Sequence, residues 1–163
     1  MDFLPLFHNL KDRNVLVVGG GEVALRKVRL VLQAGAKVTV VAKDFCPGLV
    51  ELANEAASTE KTGLNLIASA YAQAQMESLT TIVLVIAATN DRELNHQVSA
   101  DAQALNILSN VVDDPDYSTV IFPSIVDRSP IQIAISSGGS APVLVRRIRT
   151  QLEGLIPSGM SRL

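Results

Sequence analysis

Apolar positions along the chain follow two alternating periods. Val15, Leu16, Val17 and Val18 form an uninterrupted run between Asn14 and three glycines. Such a run reads as a strand covered on both faces, as parallel sheets require. After Gly19-Gly20-Gly21 the period lengthens. Leu25, Val28, Val31 and Leu32 share one face of a helix over residues 22–34, with Arg26, Lys27 and Arg29 on its solvated side. Gly35 stands where a C′ glycine would end that helix. A second strand over 37–41 carries Val38, Val40 and Val41, and a helix over 47–57 opens on Pro47 and carries Leu49, Val50, Leu52 and Ala53. The alternation continues with a strand at 64–68, a short helix at 73–79 and the most hydrophobic strand at 81–88, expected in the middle of the sheet. A helix at 91–105 with Leu94, Val98 and Ala102 on one face and a strand at 107–112 complete it. Regular alternation of this kind predicts βαβ crossovers and a doubly wound parallel α/β sheet.

The pattern breaks after Val112. Asp113-Asp114-Pro115-Asp116 is acidic and contains a helix-stopping proline. Beyond it, strand-like segments at 120–126 and 131–136 flank the hairpin-like connector Asp127-Arg128-Ser129-Pro130. Ser136-Ser137-Gly138-Gly139-Ser140 then leads into a helix over 141–155, with Ser140 read as its N-cap and Pro142 near N1. Two strands and one helix are too few to enclose a core. The apolar strands are therefore expected to pair with a second copy of the chain or to lie against the first domain. The expected division is a Rossmann-like domain over 1–113 and a small α+β domain over 114–163. At the other end, residues 3–10 form an apolar lead-in expected to pack at the first strand's edge.

The turn after the first strand carries the clearest chemistry. Gly19, Gly21 and Ala24 satisfy the G-x-G-x-x-G/A pattern, with a strand before it and a helix after it. Gly19 permits the turn, Gly21 presents no Cβ to a pyrophosphate, and Ala24 lets the helix approach the strand. The helix's first N–H groups and positive dipole end then face the phosphates. A tight βα turn with no ligand is the competing reading, and the strand–loop–helix context favours nucleotide binding. About 20 residues on, Asp44 suits the ribose hydroxyls of NAD, while Lys43 would meet the 2′-phosphate of NADP; the acidic residue leans the reading to NAD. Ala88 and Thr89, in the small-residue loop Ala87-Ala88-Thr89-Asn90-Asp91, stand where a parallel sheet receives its ligand.

Bulk properties narrow the class. The 163 residues suit one domain with an appendage, and 48% hydrophobic against 18% charged residues give ample core material. With 4% aromatic residues, no Trp and a net charge of -2, neither a base-stacking platform nor attraction to a nucleic acid is expected. Cys46 is the only cysteine, so no internal disulfide or cysteine metal cluster can form, and it reads as a small half-buried hydrophobe. The first residues lack the basic flank of a signal peptide, and the apolar run 82–88 falls far short of the roughly 20 residues of a membrane span. A soluble protein of the reducing cytoplasm, with no membrane partner, is the default expectation.

Other chemistry is ambiguous from residues alone. Asp113, at the end of the fifth strand, reads either as a general base, if partly desolvated, or as a turn cap. A cation at Asp113, Asp114 and Asp116 is disfavoured by Pro115 and the lack of nearby histidines, so no metal site is expected. Ser136-Ser137-Gly138-Gly139-Ser140 is either an anion-binding concavity or a flexible turn, and Arg146, Arg147 and Arg149 either meet substrate carboxylates or complement the helix dipole. His8 and His96 read as isolated and non-catalytic. No G-x-S-x-G, H-E-x-x-H or P-loop occurs, which argues against hydrolases and kinases.

Together these stretches resemble a known family. Leu4-Pro5-Leu6-Phe7, the glycine loop from Val17 to Ala24, Ala87-Ala88-Thr89-Asn90-Asp91, Asn110-Val111-Val112-Asp113, Phe122-Pro123-Ser124-Ile125 and Ser136-Ser137-Gly138-Gly139-Ser140-Ala141-Pro142 occur in the family's order over almost the whole chain. The family is the precorrin-2 dehydrogenase / sirohydrochlorin ferrochelatase module of siroheme synthase. The resemblance implies NAD-dependent oxidation of precorrin-2 to sirohydrochlorin, then insertion of Fe²⁺, a substrate, to give siroheme. It places the aspartate that matters for both reactions at Asp113, and NAD contacts at Glu22, Val23, Lys43 and Asp44. It also implies an interlocked homodimer formed through the second domain. A serine phosphorylated in some members corresponds to Ser137. The polycarboxylate tetrapyrrole would give Ser136, Ser137, Gly138, Gly139 and the nearby arginines a ligand. Larger members continue into a methyltransferase domain, so this chain reads as a compact bifunctional protein or as a piece of a longer one.

Two other readings compete. A different NAD(P)-dependent oxidoreductase would need an acid/base pair such as Tyr–Lys, and Tyr71 and Tyr117 have no suitable lysine nearby in sequence. A non-enzymatic, NAD(H)-sensing dimeric regulatory module would explain fold and dimer but leave Asp113 without a purpose.

Overall fold

The computed structural model describes residues 1–59, 63–79 and 81–156. Five strands, β1 (Asn14–Val18), β2 (Lys37–Ala42), β3 (Leu64–Ala68), β4 (Ile82–Ala87) and β5 (Leu108–Val111), form one parallel sheet in the order β3-β2-β1-β4-β5. Helices α1 (Glu22–Gln33), α2 (Pro47–Thr59), α3 (Gln73–Ser78) and α4 (Arg92–Ala104) alternate with them. The architecture is the Rossmann-like doubly wound sheet that the alternation predicts. β1, not β4, is the middle strand; β4 lies one step out, between β1 and β5. Apolar content could not separate them, because both are covered on two faces and paired along two edges.

Successive β1 residues point to opposite faces, which divides the core. Leu16 and Val18 join Val98 and Ala102 of α4 and Met76 of α3 in one buried cluster. Val15 and Val17 serve the other face, where α1 lies on β1 and β2 and buries Ala24, Leu25, Val28 and Val31. Each buried Val, Leu or Met side chain among these contributes about 1.5–3 kcal/mol by leaving water. Gly35, at φ +84, takes the left-handed turn that ends α1, its N–H donating to the Leu32 carbonyl (2.9 Å). Val50 of α2 and, in the lead-in, Leu6 and Phe7 are exposed against expectation; only Leu10 among the lead-in's apolar residues is buried.

Pro5–Val120 form one compact unit, and Met1–Leu4 with the chain from Ile121 onward form another. The second holds an antiparallel hairpin of β6 (Ser124–Arg128) and β7 (Ile131–Ile135), with α5 (Pro142–Leu155) packed on β6. The first hairpin strand starts at Ser124 rather than 120, because Pro123 has no N–H to give a ladder. Val120 instead lies along β5, its N–H donating to the Ser109 carbonyl (3.1 Å). Asp127 and Arg128 pair with Gln132 and Ile131, which reduces the connector to Ser129-Pro130, a cis peptide. The N-cap of α5 is Ala141, not Ser140. Val126 is buried, whereas Val143, Leu144 and Leu155 of α5 stand 71%, 55% and 76% exposed, so the helix has an apolar side with little to cover it. Among the described residues no helix is long and apolar enough to cross a membrane.

Candidate functional site

Parallel strands deliver their C-terminal ends to one edge, and backbone hydrogen bonds stitch the loops there into a continuous rim. Gly19 N–H donates to the Val41 carbonyl (2.9 Å), Ala88 N–H to Val18 (2.8 Å) and Val112 N–H to Ala87 (3.0 Å). The glycine loop, Thr89 and Asp113 therefore follow three neighbouring strands, β1, β4 and β5. The order reverses between β1 and β4, where open α/β sheets receive ligands.

The three glycines do different work. Gly19 sits at φ +130, and a Cβ there would run into the Ala88 carbonyl oxygen. Gly20 lies against the Asp44 carbonyl at the end of β2, where a Cβ would overlap it, and its own carbonyl accepts from Cys46 N–H (2.7 Å). Gly21 faces open space, with nothing within 4 Å of where a Cβ would be. It is also the N-cap of α1 and offers no side-chain acceptor to the helix's first turn. An open, side-chain-free approach to uncapped N–H groups fits a pyrophosphate. Glu22 and Val23 open that helix, and Lys43 and Asp44 are exposed at the end of β2. These residues fit a dinucleotide of the NAD(P) class.

Beyond β4, Thr89 is fixed by a residue that sequence reasoning missed. Asn95, buried on α4, donates through Nδ2 to the Thr89 carbonyl (3.0 Å), and its Oδ1 accepts from Thr89 N–H (3.1 Å) and Thr89 Oγ1 (2.7 Å). Asp91 caps α4 by accepting from Leu94 N–H (3.1 Å). Thr89, Asn90, Arg92, Asn95 and residues 111–114 line an open pocket of about 350 Å³.

Asp113 is exposed on the rim, in the left-handed region at φ +59. Asp tolerates this backbone better than most residues, at a cost on the order of 1 kcal/mol. Lys27 does not lie on a solvated helix side as expected. It is half-buried on α1, and this burial pulls its ammonium below the usual lysine range; the nearby Asp113 carboxylate opposes the shift and Arg26 reinforces it. A basic residue on a helix face reads as solvated until the fold buries part of it.

His96, read as isolated, has partners 18 and 21 residues away in sequence. Its Nε2 lies 2.8 Å from Asp114 Oδ2, and its ring stacks on Tyr117 at 3.4 Å between centroids with planes 5° apart. Arg92 Nε approaches the same Asp114 oxygen at 3.5 Å. Only the return of the chain past β5 beside α4 makes this cluster, so no local spacing could reveal it.

In the second unit, the serine–glycine segment is a built turn. Ser136 Oγ accepts from Gly138 N–H (3.0 Å), Ser137 Oγ from Ala141 N–H (2.9 Å), and Ser140 Oγ donates to the Ser137 carbonyl (2.7 Å). Gly138 and Gly139, at φ +64 and +92, supply left-handed backbone. Ser137 thus holds the N–H of Ala141, the residue before the helix, and neither it nor Ser140 caps the first turn of α5.

Comparison with known proteins agrees with this geometry. Residues 6–124 match a family model described as "Putative NAD(P)-binding", and residues 128–155 one described as "Sirohaem biosynthesis protein central". Siroheme synthase of Tolumonas auensis is 52% identical over 163 residues, covering 100% of this chain and 32% of the relative. That of Pseudomonas putida is 55% identical over the same length, covering 33% of the relative. The chain spans about a third of the length of the curated relatives it matches. Among solved structures, SirC, precorrin-2 dehydrogenase, superposes with a TM-score of 0.70 at 28% identity, covering 96% of this chain and 72% of that one. The chain belongs to this NAD(P)-binding family, and siroheme synthases are among its relatives.

Proposed function

We propose that the chain is an NAD-dependent precorrin-2 dehydrogenase that yields sirohydrochlorin, and that the same site serves Fe²⁺ insertion to give siroheme. The observation that carries this reading is the convergence of the open Gly21 approach, the fixed Thr89 and the exposed Asp113 carboxylate on one rim. In this assignment Gly19, Gly20, Gly21, Glu22, Val23, Lys43, Asp44, Ala88 and Thr89 hold NAD, and Ser136, Ser137, Gly138 and Gly139 hold the substrate's carboxylates. Bound NAD supplies the hydride acceptor. Oxidation of precorrin-2 removes two hydrogens, one as hydride and one as a proton, and the Asp113 carboxylate takes the proton. In chelation Fe²⁺ displaces two pyrrole protons, and Asp113 is placed to accept them in turn.

The reading assigns residues 1–113 to cofactor binding and 114–163 to dimerisation. The exposed Val143, Leu144 and Leu155 support a homodimer, since a second copy would cover them. The single thiol, Cys46, suits a reducing cytoplasm.

Asp113→Asn tests the central role. Asn also adopts left-handed backbone, so the variant removes the charge without adding strain. Precorrin-2-dependent NADH formation is expected to fall about 10²-fold or more, the ordinary contribution of a positioned base, with NAD affinity unchanged. Turnover within twofold of the native rate would rule out Asp113 as the base.

A further inference from the structure

We propose that His96 is a positioning residue for Asp113, acting from α4 through Asp114 and Tyr117. The inference rests on the reading of Asp113 as the proton-accepting group. A non-glycine residue at φ +59 keeps that backbone only where its surroundings over-determine it. On one side of Asp113 the restraint comes from the sheet, since Val112 N–H donates to the Ala87 carbonyl (3.0 Å). On the other side the Asp114 N–H closes a turn onto the Val111 carbonyl (3.2 Å) and Ser118 Oγ donates to the Asp114 carbonyl (2.9 Å), while α4 holds the side chains that follow. With its proton on Nε2, His96 donates to Asp114 Oδ2 at 2.8 Å, and the flat of its ring covers the ring of Tyr117. Ser99, one turn further along α4, donates to the Tyr117 carbonyl at 2.6 Å. Tyr117 N–H in turn donates back to the Asp114 carbonyl (3.3 Å). His96 thus grips the loop at two points, Asp114 immediately after Asp113 and Tyr117 further along.

The other side chain that reaches the Asp114 carboxylate is the weaker tie. Arg92 reaches Asp114 only at 3.5 Å with its side chain 76% exposed, against 23% for His96 and 16% for Asp114. Neighbouring residues on α4 divide the rim between them. Asn95 fixes Thr89 and His96 fixes the Asp113 loop, so one helix sets the spacing between the cofactor loop and the base. Released from His96, the loop would let Asp113 relax toward ordinary backbone and carry its carboxylate away from the rim.

The test uses the full chain with NAD and precorrin-2, comparing His96→Ala, His96→Gln and Asp114→Ala. His96→Ala is expected to lower kcat about tenfold to hundredfold, the scale of a small displacement of a reacting group, while NAD affinity stays within about twofold. His96→Gln, which can still donate to Asp114, recovers most of the loss, and His96→Ala combined with Asp114→Ala is no slower than either alone. Should His96→Ala fail to fold, Asp114→Ala, which leaves the ring stack in place, is expected to show the same loss of kcat at unchanged NAD affinity. Native kcat in His96→Ala overturns the proposal, as does loss of NAD affinity in step with kcat. A native chain that turns over while His96→Ala is unaffected refutes this inference alone. A native chain that makes no NADH refutes the proposed function and this inference with it.

Discussion

Replacing each glycine of the loop by alanine separates packing from cofactor binding. Gly19→Ala meets two penalties, φ +130 and a Cβ driven into the Ala88 carbonyl. Strained backbone costs about 1–3 kcal/mol and overpacking about 1–3 kcal/mol, so the sum is about 2–6 kcal/mol. Gly20→Ala has ordinary φ but forces its methyl onto the Asp44 carbonyl, with the Ala42 Cβ at 2.9 Å, and costs about 1–3 kcal/mol. Gly21→Ala meets nothing within 4 Å, and losing a glycine N-cap costs only about 0.5 kcal/mol. At about 3 °C per kcal/mol, the expected drops in Tm are about 6–18 °C for Gly19→Ala, 3–9 °C for Gly20→Ala and 1–2 °C for Gly21→Ala. Calorimetric titration with NAD should show the opposite contrast at Gly21. A methyl on the open approach keeps the pyrophosphate from the backbone, and affinity falls at least about tenfold, or 1.4 kcal/mol. A Gly21→Ala chain that folds and binds NAD within twofold of the native chain would refute the argument that this opening receives the phosphates. A Gly20→Ala chain as stable as the native one would refute the packing against Asp44.

Shifted protonation at two groups can be tested in the same way. Tyr71 donates to Asp101 Oδ2 at 2.8 Å, and burial, then that bond and the negative charge of Asp101 and Glu77, raise its pKa above the usual tyrosine value. With the folded value raised, the stabilisation is complete below about pH 10 and is lost as pH rises above it. Alkaline denaturation should therefore show a fall in stability that Tyr71→Phe lacks, while at neutral pH the variant is about 1–2 kcal/mol less stable because Asp101 keeps only Gln97. A native chain with no alkaline slope contradicts this. Lys27 has the opposite sign. Its folded pKa is lowered, so between that value and the usual lysine value the unfolded chain binds more protons and stability rises with pH. Lys27→Met should lose that rise. Asp113→Asn, by removing the carboxylate that supports the ammonium, should speed acylation of the Lys27 amine at fixed pH; an unchanged rate would separate the two groups.

The sheet was legible because burial on both faces writes itself as apolar runs, as in Val15 to Val18, and the glycine loop because strand, turn and helix are adjacent in sequence. Pro123 showed why the next strand begins late only once the ladder was visible, since an apolar stretch alone does not reveal where N–H groups are needed. The carboxyl-edge cluster was illegible for a different reason. Lys27, Asn95 and His96 each sit on a helix among residues of ordinary spacing, and their roles depend on loops that come back from β4 and β5. The turn before α5 shows a smaller version of this limit. Several serines there could cap, yet the left-handed turn at Gly138 and Gly139 precedes a helix whose N-cap is Ala141, with Ser137 bonded to the N–H before it.

The most direct measurement of the central claim is anaerobic incubation of the unmodified chain with NAD and precorrin-2, following NADH and sirohydrochlorin together. Precorrin-2-dependent NADH formation is expected, with one NADH for each sirohydrochlorin. Saturable NAD binding with no turnover would contradict it and favour a nucleotide-sensing module built on the same fold.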